Sequence, residues 1–246
     1  DVTWSPSLSL FARVRSAGSS QYIETSSNGV SWTPYLPDKA YQGITWSQEL
    51  GIFLGVGTGV VVTSSNGTSW TSAIETGDWQ DVAWSSTLSL FFVVGNGEYA
   101  TSPDGVTFTT TSATGNWVDV AWSSILGLFL TVGSAIRATF DGTTFTTASE
   151  TGVWNAVEWS QELELFLICG TNVRATSTDG TSWTTASETG TWNAVSWSPQ
   201  LSLFAIVGNN KRATSSNGTD WTTTTETGIW NSITWAPELT IFSTVG

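Results

Sequence analysis

Apolar and polar residues follow one another along this chain in short runs, and no stretch sustains a 3.6-residue apolar period. Residues 192–229 show the unit. Val195 and Trp197 stand two apart and so share one face of a strand. After the polar turn Ser198-Pro199-Gln200, residues 201–207 form a second apolar strand that ends at Gly208. Residues 211–215 form a third. Asn217-Gly218 then reads as a tight hairpin turn with positive φ at both central residues, and residues 221–225 form a fourth strand. Glu226-Thr227-Gly228 leads to Trp230, where the pattern starts again. Val, Ile, Thr, Phe and Trp dominate these runs, which is strand chemistry.

The second tryptophan of the unit falls at Trp4, Trp46, Trp84, Trp122, Trp159, Trp197 and Trp235, at spacings of 42, 38, 38, 37, 38 and 38. A period near 40 with short strands and turn glycines predicts a β-propeller, all-β, with four-stranded antiparallel blades. The glycines Gly29, Gly67, Gly105, Gly142, Gly180 and Gly218 each precede the next of these tryptophans by 17 residues. The first two strands of the unit occur seven times and the last two six times. Seven blades with an incomplete last blade are favoured, and six is the alternative. Residues 1–246 read as a single domain with repeats at about 1–40, 41–78, 79–116, 117–153, 154–191 and 192–229, and a partial one at 230–246. Repeat 1 carries four extra residues around 16–21.

Charge narrows the partners. Seven basic residues against twenty acidic ones leave a net charge of −13, so no nucleic acid is expected, because phosphate binding needs clustered Lys and Arg. No apolar run approaches the roughly 18 residues of a spanning helix, and no membrane insertion is expected. The lone Cys169 sits where other repeats carry valine and reads as a small buried apolar residue. Asp1 begins mid-motif without a methionine, so the chain reads as a processed product or as part of a larger chain or multimeric assembly. With no histidine, the usual general base and metal ligand is missing, so neither an enzyme nor a metal or cofactor site is expected.

Two sets of residues are candidate ligand sites. Trp79, Trp117, Trp154, Trp192 and Trp230, with Tyr41 at the same place in repeat 2, open their repeats near one rim. Their rings either stack on a ligand such as a sugar or wedge between blades as core. Arg137, Arg174 and Arg212 each follow the unit tryptophan by 15 residues, and Glu75, Glu150, Glu188 and Glu226 lie in the loops that lead from a fourth strand into the next opening tryptophan. They form either Arg–Glu pairs or a ring of equivalent ligand sites.

The segments Thr63-Ser64-Ser65-Asn66-Gly67-Thr68-Ser69-Trp70 and Thr176-Ser177-Thr178-Asp179-Gly180-Thr181-Ser182-Trp183 resemble the Asp-box hairpin of sialidase-like propellers. They are also similar to repeats of photosystem II assembly factors and of bacterial surface and bacteriophage proteins. The turn is one residue shorter than the usual box. The resemblance implies a folding role for Ser64, Asn66, Gly67, Trp70 and their equivalents, and no catalysis. Together these readings lead to an expected non-enzymatic propeller, extracellular or on a virion surface, that binds a cell-surface glycan or a coat or tail protein. The alternatives are a purely structural scaffold and an assembly-factor-like protein-binding propeller.

Overall fold

Strand-forming residues in short alternating runs give nineteen strands in the described part of a computed structural model, which covers residues 1–17, 20–35, 39–73 and 76–246. The side chains at 16, 17, 20, 21 and 150 lie outside that description. The chain divides into two compact units, Asp1–Asn116 and Trp117–Gly246, and this division falls on a repeat boundary.

In the first unit, β1 (Val2–Ser5), β2 (Leu10–Ala17), β3 (Ser20–Ser26) and β4 (Thr33–Tyr35) pair in chain order as one sheet. The strands β5 (Tyr41–Ser47), β6 (Ile52–Gly57), β7 (Val60–Ser64) and β8 (Thr71–Ala73) make a second sheet. Then come β9 (Trp79–Ser85), β10 (Leu90–Ser102) and the first half of β11 (Thr109–Ser123). The second unit holds the rest of β11, β12 (Leu128–Phe140), β13 (Phe145–Ser160), β14 (Leu165–Ser177), β15 (Thr184–Ser198), β16 (Leu203–Ser215) and β17 (Thr222–Ile229). The pair β18 (Ser232–Ala236) and β19 (Ile241–Val245) stands as a two-stranded sheet.

The unit read from the sequence differs from the structure in its turns. Strand two begins at Leu203 rather than Leu201, because Leu201 N–H is held by Ser198 Oγ at 3.1 Å in the turn. Strands two and three run on as one element. β16 pairs with β15 through residues 203–208 and with β17 through residues 211–214, bending at Asn210 with φ 58°. In repeat 2 the same hairpin is two separate strands that close at Gly57 and Val60. Neither turn has positive φ at both central residues: only Gly59, at 67°, has it in the Thr58-Gly59 turn, and only Gly218, at 77°, has it at Asn217-Gly218. In repeat 1, β2 runs unbroken through Arg13 and Arg15, and the extra residues lengthen its hairpin with β3. The tip of that insertion, residues 18–19, lies outside the described residues.

Each repeat packs around a cross-strand Trp–Phe pair. Trp197 opposes Phe204 and Trp159 opposes Phe166, each with ring centroids 4.6 Å apart and tilted. Such offset contacts add to the area that the rings bury. Phe11, Phe53, Phe91, Phe129, Phe166 and Phe204 are all fully enclosed.

Candidate functional site

The Ser-x-Asn/Asp-Gly turn is built by its own side chains. Ser64 Oγ accepts the N–H of Gly67 at 2.9 Å, and Asn66 Oδ1 accepts those of Thr68 and Ser69 at 2.9 and 2.8 Å. Trp70 Nε1 donates to the Gly67 carbonyl at 3.2 Å. Ser215, Asn217, Gly218 and Trp221 repeat this set. Short side chains thus satisfy turn amides that a strand ladder would otherwise use. Where the acceptor is Asp104, the backbone N–H groups of Thr107 and Val106 hold its carboxyl down at about 2. The same bonds from Ser182 and Thr181 lower Asp179. The serine hydroxyl and the Oδ1 of the Asn or Asp are thus engaged within the turn.

The opening tryptophans lie inside the sheets. Trp79, Trp117, Trp154 and Trp192 are 0–1% exposed and present no free face to a ligand. Trp192 packs among Leu167, Cys169, Phe204, Ile206 and Ala213, with Lys211 Nζ 3.9 Å from its ring centre. Tyr41 is buried in the same way, and Trp230 is half-buried. Trp192 and Val195 stand three apart and would face opposite sides of a regular strand, but the register shift between Trp192 and Ala194 brings both into one core cluster.

The arginines are also spent internally, in unequal ways. Arg137 donates to the carbonyls of Gly180 and Thr181, at 3.0 and 2.9 Å, in the turn of the following repeat. Its guanidinium lies 5.4 Å from the Trp183 ring centre. Arg174 is buried, pairs with Glu188 and lies 4.4 Å over Trp221, again in the following repeat. Burial lowers its pKa, while Glu188 opposes the shift. Arg212 pairs with Glu226 at 3.1 Å, but both are exposed, and such a pair contributes about 0–1 kcal/mol. The three do not converge. Glu75 and the side chain of Glu150 lie outside the described residues.

Sequence reasoning missed two features. The first joins neighbouring repeats. Trp84 Nε1 donates to Glu49, Trp197 Nε1 to Glu162 and Trp235 Nε1 to Gln200, at 2.6, 2.6 and 2.9 Å, always across 35 residues. Trp159 finds the shorter Ser124 at that offset, and its indole N–H is buried without a partner. A carboxylate acceptor for a buried indole contributes about 1.5–3 kcal/mol. Glu162→Ala is therefore expected to lower stability by about that amount, with Glu162→Gln closer to wild type, as read by urea unfolding. Equal stability of Glu162→Ala and wild type would show that the bond contributes nothing. A Glu or Gln 35 residues before Trp84, Trp197 and Trp235 was the visible signal.

The second is Glu158, which stands where the other repeats carry Thr3, Thr45, Ala83, Ala121, Ser196 and Thr234. Burial pushes its carboxyl from 4.5 up to about 8, against a bond from Trp159 N–H that favours the ionised form. The folded state then holds this proton where the unfolded chain has lost it. Its stabilising effect is complete below pH 4.5 and is lost as pH rises toward about 8. Urea unfolding of wild type is expected to show stability falling across that window, by no more than about 1.4 kcal/mol per pH unit. Glu158→Gln should lose that slope and exceed wild type at pH 8. Parallel pH profiles for the two proteins would refute the assignment.

Among the described residues, no three of His, Cys, Asp or Glu gather as a metal site.

No family model matches the chain, and no curated protein matches it. Among solved structures, the β-propeller domain of Cps50 (Swd1) from Myceliophteria thermophila is similar over 100% of this chain and 91% of that one. The TM-score is 0.72 at 10% sequence identity, so the likeness carries the fold: all-β, propeller-like and built from antiparallel strands. The expected extracellular or virion-surface module for a glycan or a coat protein is corrected by this comparison. A structure similar over the whole chain is a Cps50 (Swd1) β-propeller domain. Burial of four opening tryptophans removes the aromatic faces on which the glycan reading relied.

Proposed function

We propose that this chain is a non-enzymatic propeller that binds protein within a larger assembly. One observation carries this reading. The turn between the first two strands of a repeat presents an aliphatic side chain to solvent, with Ile125 and Leu201 each 45% exposed and Leu239 38% in the second unit. Rigid turns hold these groups. Ser123 Oγ and Ser198 Oγ accept the N–H groups of Leu126 and Leu201, both at 3.1 Å. Spaced aliphatic groups on a stiff frame suit a protein surface, whereas sugar binding calls for open aromatic faces. The likeness to the Cps50 (Swd1) propeller domain supports the frame. The organisation proposed with it is seven repeats in one domain, the seventh being β18 and β19, with hairpins of the Asp-box kind.

The test is a photo-crosslinking residue at position 201, compared with one at the exposed Thr223. In an extract of the source cells, position 201 should give discrete protein adducts. Added wild-type chain should compete them away, and a Leu201→Asp/Leu239→Asp chain should not. Adducts that are equal at both positions, or indifferent to the competitor, would overturn the reading.

A further inference from the structure

Glycine follows asparagine at Asn28, Asn66, Asn96 and Asn217. All four asparagines are exposed, so access to solvent does not distinguish them. Three of them sit in the Ser-x-Asn-Gly turn and are held there. The Oγ atoms of Ser26, Ser64 and Ser215 accept the N–H groups of Gly29, Gly67 and Gly218, each at 2.9 Å. The Oδ1 of each asparagine accepts two more main-chain N–H groups at 2.8–2.9 Å, those of Val30 and Ser31, of Thr68 and Ser69, and of Thr219 and Asp220. The side-chain amide is thereby turned toward the residues that follow, and a hydroxyl occupies the glycine N–H.

Asn96-Gly97 has none of these restraints. It lies at the bend of β10, with the buried Val94 where the turns carry serine. Asn96 pairs with Asn116 and Glu98 with Ser112, so Gly97 has no partner across the ladder. Gly97 is exposed with φ 80°, and a Cβ built on it would meet nothing within 4 Å. On Gly67 the same atom would lie 2.4 Å from Leu10, and on Gly218 3.0 Å from Leu165. The Asn96 N–H donates to the Asp78 carbonyl at 3.1 Å, which fixes its main chain. Among the described residues, no hydrogen bond holds its side-chain amide.

We propose that Asn96 is a site of covalent self-modification, which deamidates through a cyclic imide with Gly97 while the same dipeptide is protected at Asn28, Asn66 and Asn217. The Gly97 main-chain nitrogen gives its proton to solvent base and bonds to Asn96 Cγ. The Cγ–Nδ2 bond breaks, and that nitrogen takes a proton from water and leaves as ammonia. One water then opens the imide at either carbonyl, which yields an aspartate or an isoaspartate at position 96. Glycine suits the second position because no Cβ shields its nitrogen. Either product places a carboxylate beside Asp78, and the isoaspartate also adds a main-chain carbon at the bend of β10. This chemistry does not depend on the protein-binding role.

The test holds the protein folded in mildly alkaline buffer and, in parallel, unfolded in guanidinium chloride. Peptide mapping by mass spectrometry follows each of the four asparagines. In the unfolded chain all four should react at similar rates, because each is followed by glycine. In the folded protein Asn96 should stay within about threefold of its unfolded rate, while Asn28, Asn66 and Asn217 should slow by about tenfold or more. Asn96→Gln should remove the fast release of ammonia. Ser64→Ala frees the Gly67 N–H and should speed Asn66 alone, whereas Ser64→Thr, which keeps a hydroxyl, should leave it slow. Equal rates at the four sites in the folded protein would overturn the proposal, as would an Asn96 that slows on folding as much as the others. An Asn66 that stays slow in Ser64→Ala would show that the turn hydroxyl is not what protects it.

Discussion

Trp192→Ala is expected to destabilise the chain by about 3–5 kcal/mol, the cost of emptying a large aromatic site in a closed core. The ring is fully buried and touches strands on both sides, from Leu167 and Cys169 to Phe204 and Ile206. Its indole N–H has no acceptor, so the loss is one of packing and contains no hydrogen-bond share. Lys211 Nζ, 3.9 Å from the ring centre, loses its aromatic face as well. Trp230→Ala, at the matching half-buried position, should cost less, about 1–2 kcal/mol. Urea unfolding of both variants decides the matter. Equal costs would mean that the burial difference carries no energy. A folded Trp192→Ala chain with wild-type stability would reopen the ring as a surface group.

Gly208→Ala should cost about 3 kcal/mol or more, despite adding one methyl. Gly208 opposes Trp192 at the register shift between β15 and β16. A Cβ there would lie 2.1 Å from the Thr191 carbonyl oxygen, and main chain cannot move aside as a side-chain tip can. Gly170 meets Val153 O at 1.9 Å in the same way. The comparison is Gly127→Ala, where no neighbour lies within 4 Å and only the left-handed backbone, φ 65°, opposes the change. That variant should lose about 1 kcal/mol. If thermal unfolding finds Gly208→Ala no worse than Gly127→Ala, the close approach is not what requires glycine where the second strand of the repeat ends.

Much of this was legible along the chain because it is periodic. The Trp–Phe pair follows from alternation, since Trp197 and Phe204 flank a short turn and must oppose each other once both segments are strands. The recurring turn glycines located the hairpins. The turn type was not legible, because Asn217-Gly218 serves equally well in a two-residue hairpin and in a wider turn. The wider turn wins where Ser215 Oγ and Asn217 Oδ1 are placed to take its amides. The positive-φ corner at Asn210 had a weaker signature, since Ala135 does the same work in repeat 4.

The order of strands, their antiparallel pairing and the repeat length follow from residue type and spacing, because alternation and turn chemistry act between neighbours in sequence. The fate of the candidate site residues does not. Arg137, Arg174 and Arg212 occupy one position in the repeat, yet they differ in burial according to whether a following hairpin covers them. Trp192 and Trp230 differ for the same reason. Burial is a property of the group that lands on a side chain from elsewhere in the chain, and identical local sequence carries no record of it.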